Sequence, residues 1–159
     1  MVTLFEWGHE LPRLRGHNVD LRALADSDAP AILATFGDRD VMEFWSSPPL
    51  ADLAAATALI GAIRTSFMQR RFFQWGIVFR ETGDVVGTCT LFNVDLEHRR
   101  AEIGFALRSA VWGKGLARDA VEALIRFAFM TMELHRLEAD TDPRNQRSLK
   151  LLERQGFRR

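Results

Sequence analysis

The stretch Trp112-Gly113-Lys114-Gly115-Leu116-Ala117 constrains this chain more than any other, because it forces backbone into the open where two elements join. A strand-like run, Glu102-Ile103-Gly104-Phe105-Ala106-Leu107, comes just before it, and a long amphipathic helix, from about Leu116 to Met130, begins inside it. Two glycines let backbone or ligand approach closely. The first turn of the new helix carries N–H groups with no intrahelical partner, and the positive end of its dipole stands behind them. Such a loop is a ready site for an anion. The junction therefore predicts a fold that holds a phosphorylated ligand between a strand and a helix.

Hydrophobic periodicity organises the rest of the chain. Val19-Asp20-Leu21-Arg22, within Leu14 to Leu24, alternates as a first strand. Asp26-Ser27-Asp28 ahead of Pro30 starts a short helix that should end near Gly37. Met42-Glu43-Phe44-Trp45 is apolar and aromatic, and Ser46-Ser47-Pro48-Pro49 then breaks the chain. A long helix is expected from Ala51 to about Arg70, with Leu53, Ala56, Leu59 or Ile60, Ile63 and Phe67 as its apolar stripe. Two strands, Phe73 to Arg80 and Val85 to Val94, are joined by the hairpin signal Glu81-Thr82-Gly83-Asp84. Glu97-His98-Arg99-Arg100 marks a turn before the strand Ala101 to Leu107. On the helix after the glycine loop, Leu116, Ala120, Leu124, Phe127 and Ala128 share one face. His135 to Thr141 alternates as another strand, and Asp142-Pro143-Arg144-Asn145 leads into a helix from Gln146 to Gln155 that Gly156 closes.

The order strand, two helices, three strands, helix, strand, helix predicts an α/β fold, one domain over residues 1–159 with a mixed sheet. Phe157-Arg158-Arg159 reads as the opening of a further strand, so the chain is expected to stop short of the fold's last strands.

Composition narrows the function. The 21 basic and 21 acidic residues balance, whereas a nucleic-acid partner calls for a basic excess. No apolar run reaches the length of about 18 residues that spans a membrane, and Met1 to Glu10 holds two acids and no signal-peptide core. A cytoplasmic protein without a membrane partner is the expectation. The single cysteine, Cys89, lies in an apolar run and reads as a buried small residue. The histidines, His9, His17, His98 and His135, show no paired ligand spacing, so no metal is expected.

Three phosphate loops compete for the glycines. A nucleotide P-loop needs G-x-x-x-x-G-K-[ST], but Lys114 lies between the glycines and no Ser or Thr follows. A dinucleotide fingerprint needs a third glycine where Arg118 stands, and an earlier place in the chain. The third reading matches in order and spacing. Arg100-Ala101-Glu102-Ile103-Gly104-Phe105, then Trp112 through Ala117, then Leu134-His135-Arg136-Leu137-Glu138-Ala139, then Asn145-Gln146-Arg147-Ser148-Leu149 through Gly156-Phe157 form four ordered motifs. With them, residues 99–158 closely resemble the GNAT superfamily of acyl-CoA-dependent N-acetyltransferases, nearest its ribosomal-protein N-terminal (Rim-type) branch.

That resemblance implies a GNAT fold, a mixed, mostly antiparallel sheet flanked by helices, with two strands splayed around the coenzyme. It implies acetyl-CoA as co-substrate, its pyrophosphate held by the amides of Gly113, Lys114, Gly115, Leu116 and Ala117. The family has Gln or Arg where Trp112 stands, although Trp is frequent in this branch, so Lys114 or Arg118 is expected to supply charge. Phe105 and Leu107 would offer backbone groups to the pantetheine arm. Asn145 matches a coenzyme-contacting Asn and is equally apt as a helix N-cap. Dimerisation is common in such folds.

The implied reaction is direct attack of a primary amine, a protein N-terminus or a small molecule, on the thioester carbonyl. An ammonium cannot attack, so a base must take its proton. Glu102 is the candidate, against the alternative of a sheet carboxylate paired with Arg100; Asp142 and Glu43 stand behind it. A backbone N–H near Phe105 would hold the oxyanion. Many family members use a tyrosine as acid, and this chain has none. Ser148 matches a serine with that role in the branch, against the alternative of a helix-bonding hydroxyl. Met42, Phe44 and Trp45 are expected beside the acceptor, with a plain core role as the alternative. A protein with this fold that binds acyl-CoA or acts as a scaffold without turnover is the second reading.

Overall fold

The computed structural model describes residues 4–159, and its sheet runs in simple chain order. A short hairpin, β1 (Leu14–Arg15) and β2 (Val19–Arg22), opens it. Three helices follow: α1 (Ala29–Phe36), the single-turn α2 (Arg39–Met42) and α3 (Leu53–Met68). The meander β3 (Phe72–Phe79), β4 (Asp84–Asp95) and β5 (Arg100–Leu107) is antiparallel throughout. Helix α4 (Leu116–Arg126) then returns the chain to β6 (Arg136–Glu138), the one parallel partner of β5, and α5 (Gln146–Arg154) closes the order. The expected mixed, mostly antiparallel sheet flanked by helices is what forms.

Two cores lie on the two faces of this sheet. Trp75, Phe73, Leu91 and Ile103 meet Leu116, Ala120, Leu124, Phe127 and Ala128, the face expected on α4. On the other side Ile32, Phe36, Met42, Ala56 and Ile60 close over Ala106. Cys89 is fully buried, and burial pushes its thiol up to about 12. A native protein should therefore leave an aromatic disulfide reagent unreacted and react only after denaturant is added; fast labelling of the native state would contradict this burial.

Three elements depart from their expected bounds. Leu53 is half exposed rather than part of the α3 stripe. It is the first helical residue, and a helical side chain leans over the preceding turn, where only the cap Asp52 stands. The expected strand Val19–Arg22 forms as β2, and Gly16 to Asn18 turn back so that Leu14–Arg15 pairs beside it as an additional short strand. Helix α4 stops at Arg126 and widens into one π turn over Phe127–Thr131. The Met132 N–H reaches back to Phe127 at 3.0 Å, and the wider turn keeps Phe127, Ala128 and Met132 all buried. Finally, β6 pairs over Arg136–Glu138 only, not His135 to Thr141. Alternation reports an extended chain, and only its first residues find a partner.

Candidate active site

The last two strands of the sheet part where the coenzyme was expected. β5 and β6 pair at Arg100 with Arg136, Ala101 with Leu137 and Glu102 with Glu138, and no further. The Arg108 N–H donates to the Val86 carbonyl at 2.7 Å, which sets the phase of the β4–β5 ladder. Alternate residues of an antiparallel ladder face opposite edges. With Gly87 opposite Leu107 and Cys89 opposite Phe105, the backbone groups of Ile103, Phe105 and Leu107 turn away from β4. Ile103 stands at the end of the β6 pairing, and β6 offers Phe105 and Leu107 no strand partner. The Leu107 carbonyl accepts the Trp112 indole N–H at 2.8 Å, while the N–H and C=O of Phe105 find no partner among the described residues.

The glycine loop closes one end of this gap. Gly113 and Gly115 adopt φ of 82° and 76°, the left-handed region that side chains disfavour. Gly115 is the N-cap of α4 and brings no capping side chain. Among the described residues nothing accepts the N–H groups of residues 113–118. A Cβ built on Gly113 or Gly115 would meet no atom within 4 Å, so a side chain at either position would project into open space. Leu116 is buried and anchors the helix start, with Ala117 half-buried beside it. Lys114 and Arg118 are exposed; the Lys114 ammonium lies 5.9 Å from the centre of the Phe79 ring, and Arg118 pairs with Glu122 at 3.7 Å. Trp112 is half-buried between the two cores, and the Arg147 guanidinium stacks 3.8 Å over its ring.

Glu102 sits at the last paired position of β5, with its side chain on the sheet face of Gly104 and Ala106. Its Oε1 accepts from Asn93 Nδ2 at 2.9 Å, while Arg100 turns to Asp95 at 3.7 Å. Asn93 owes this placing to a bulge, since Phe92 faces Glu102 and Asp95 faces Arg100 with two residues of β4 against one of β5. Its φ of 48° is one that Asn tolerates. Met42, in the same helical layer that covers Ala106, is buried core. Phe44 is half-buried beneath Arg144, 5.4 Å from ring centre to guanidinium, and Trp45 is exposed with one edge on Phe36 at 5.5 Å.

The start of α5 faces the gap from the other side. Asn145 Oδ1 accepts the Ser148 N–H at 3.2 Å and caps the helix. The Ser148 hydroxyl is half-buried and bonds to no other group among the described residues, so it is not spent on the helix backbone. Arg144 grips Asp142 through Nε at 3.0 Å and Nη2 at 2.9 Å. That grip holds the Asp142 carboxyl at about 2, well below the usual carboxylate range. A carboxylate so acidic is a poor proton acceptor near neutral pH.

Residues 18–158 match the sequence model of the acetyltransferase (GNAT) domain. The chain belongs to the GNAT acetyltransferase family. It is 34% identical over 139 residues to the uncharacterized N-acetyltransferase p20 of Bacillus licheniformis, covering 87% of this chain and 78% of that one. It is 26% identical to the spermidine N(1)-acetyltransferase of Escherichia coli over 89% of this chain and 73% of that protein. The solved structure of Mycobacterium smegmatis RimJ in complex with CoA-disulfide superposes with a TM-score of 0.79 at 27% identity, covering 92% of this chain and 74% of the other.

As a GNAT protein it is an acyl-CoA-dependent N-acetyltransferase, with acetyl-CoA as co-substrate. The residues present fit such a ligand: a loop of free amides suits a pyrophosphate, and an unpaired strand edge suits an amide-bearing arm. No group of His, Cys, Asp and Glu that could hold a metal ion occurs among the described residues. No described helix is long and apolar enough to cross a membrane. Sequence reasoning missed three neighbours of the site: Asn93, Arg144 and Arg147. A bulge and two cation–π contacts leave no periodic signal, although Asn93 between apolar residues of β4 hinted at the first.

Proposed function

We propose that this GNAT protein acetylates a primary amine by direct attack, with Glu102 as base. The observation that carries the reading is the free Phe105 backbone beside the open amides of residues 113–118. The amine nitrogen bonds to the thioester carbonyl carbon as the C–S bond breaks. Its proton passes through water to Glu102, whose carboxylate Asn93 orients from one side only. The Phe105 N–H stabilises the oxyanion. The departing thiolate takes a proton from solvent, directly or relayed through Ser148 Oγ, which regains a proton from water as it gives one up. Phe44 and Trp45 offer aromatic surface on the face that carries Glu102.

Acetyl-CoA should raise the melting temperature, and the absence of any shift would sink this reading. Glu102→Gln should lower turnover by about 10²–10⁴-fold, the usual share of general base catalysis, while coenzyme affinity stays put. An unchanged rate removes Glu102 from the base's role. The motif resemblance to the ribosomal-protein branch makes a protein N-terminus the first acceptor to test, and the likeness to spermidine N(1)-acetyltransferase makes polyamines the second. Screening N-terminal peptides, polyamines and aminoglycosides by thiol release decides among them. The lack of any tyrosine favours a second reading, coenzyme binding without turnover. It predicts a melting shift with no thiol released for any acceptor.

A further inference from the structure

We infer that Arg147 is a ligand of the coenzyme's pyrophosphate, held ready by Trp112; the inference rests on the coenzyme reading above. Trp112 stands where charge was expected from a basic side chain, and it carries none. Its indole is instead pinned at both ends, by its N–H on the Leu107 carbonyl at 2.8 Å and by its half-buried ring between the two cores. On the exposed ring face lies the Arg147 guanidinium, 3.8 Å from the centroid, a stacking distance. Trp112 thus borrows a charge from α5 and sets it beside the loop that begins at the next residue.

Of the other cations near the gap, Lys114 is exposed in the loop itself with only the Phe79 ring at 5.9 Å, and four arginines are engaged at least in part. Arg118 faces Glu122, Arg144 grips Asp142, Arg136 pairs with Glu138, and Arg108 donates to the Val85 carbonyl. Among the described residues Arg147 has neither a carboxylate within 4.0 Å nor a hydrogen-bond acceptor. Stacking occupies the flat face of a guanidinium and leaves its in-plane fork of donors available. That fork matches two oxygens of a phosphate. The free amides of residues 113–118 and a stacked, uncommitted guanidinium therefore form a two-sided anion site, one side from α4 and the other from α5.

The test compares wild type with Arg147→Ala and Arg147→Lys, using calorimetry with coenzyme A and with dephospho-coenzyme A, and chemical-shift titration with pantetheine. The alanine variant should bind both nucleotides about ten- to a hundredfold more weakly, with a shallower salt dependence. Its affinity for pantetheine and its ligand-free melting temperature should not move, which a merely structural role would not give. Lysine should recover only part of the loss, since it neither stacks flat nor forks. Alanine binding coenzyme A within twofold of wild type overturns the inference. A loss seen with coenzyme A but not with dephospho-coenzyme A assigns Arg147 to the 3′-phosphate and overturns the pyrophosphate contact. Wild-type protein that binds no coenzyme A sinks the parent reading instead.

Discussion

Gly115→Val should abolish the response to acetyl-CoA while the protein still folds. Gly115 holds φ at 76° as the N-cap of α4, where an L residue costs about 1–2 kcal/mol and a β-branched one more. No protein atom lies within 4 Å of the added Cβ, so nothing inside the fold is displaced. The side chain projects into open space at the loop whose amides are proposed to hold the coenzyme's phosphates. Strain alone should lower the melting temperature by about 2–8 °C for a domain this size. A ligand at a hundred times its dissociation constant stabilises by about 2.7 kcal/mol, and that increment should vanish.

Gly83→Val separates strain from ligand loss. Gly83 has the same φ of 76°, also with nothing within 4 Å, but sits in the β3–β4 turn. Both variants should lose similar stability, and only the change at Gly115 should lose the acetyl-CoA shift. If Gly115→Val keeps the wild-type shift, the loop does not hold the phosphates.

Asp119→Ala should be strongly destabilising for a single polar change on the α4 side of the sheet. Its carboxylate is buried and accepts three backbone N–H groups, His17 at 2.8 Å, Asn18 at 2.7 Å and Val19 at 3.0 Å. It closes the β1–β2 turn onto the first turn of α4. The turn has grown around it, for a Cβ on Gly16 would come within 2.7 Å of Asp119 Oδ1. Hydrogen bonds to a charged group are worth about 1.5–3 kcal/mol each. Water can reach the exposed His17 and Asn18 amides, but the Val19 amide is buried. A net loss of about 3–5 kcal/mol follows, or about 6–20 °C in melting temperature. Asp119→Asn should fall between, because an amide oxygen accepts fewer of the three bonds and brings its own donors. A drop below 2 °C for the alanine variant would show that the turn holds itself.

These two residues mark opposite ends of what a reader of the sequence can see. The glycines at 113 and 115 are legible because only glycine adopts such backbone cheaply, and their place between a strand and a helix adds the free amides. Asp119 looks like one polar residue on an amphipathic helix, and its partners lie about a hundred residues away in the chain. Glu102 was legible as a strand carboxylate, but its partner was not: Asn93 rather than Arg100 receives it, because a bulge in β4 shifts the register by one residue. Phe44 and Trp45 looked alike in sequence; Arg144 covers one and solvent reaches the other. Met42 belongs to the core, since the single turn of α2 points it at Ala106.

By itself the sequence determined the order of the main elements, all but the short β1 and α2, together with the two hydrophobic periods, the glycine loop and, through four ordered motifs, the family. All of these are local, carried by residues within a turn or a strand of one another. Only the tertiary structure decided where β6 leaves β5, which carboxylate Asn93 and Arg144 each claim, and that Arg147 lies on Trp112. Those outcomes depend on contacts between segments far apart in the chain, and no periodicity or spacing encodes which of several equally suitable side chains will arrive first at a shared surface.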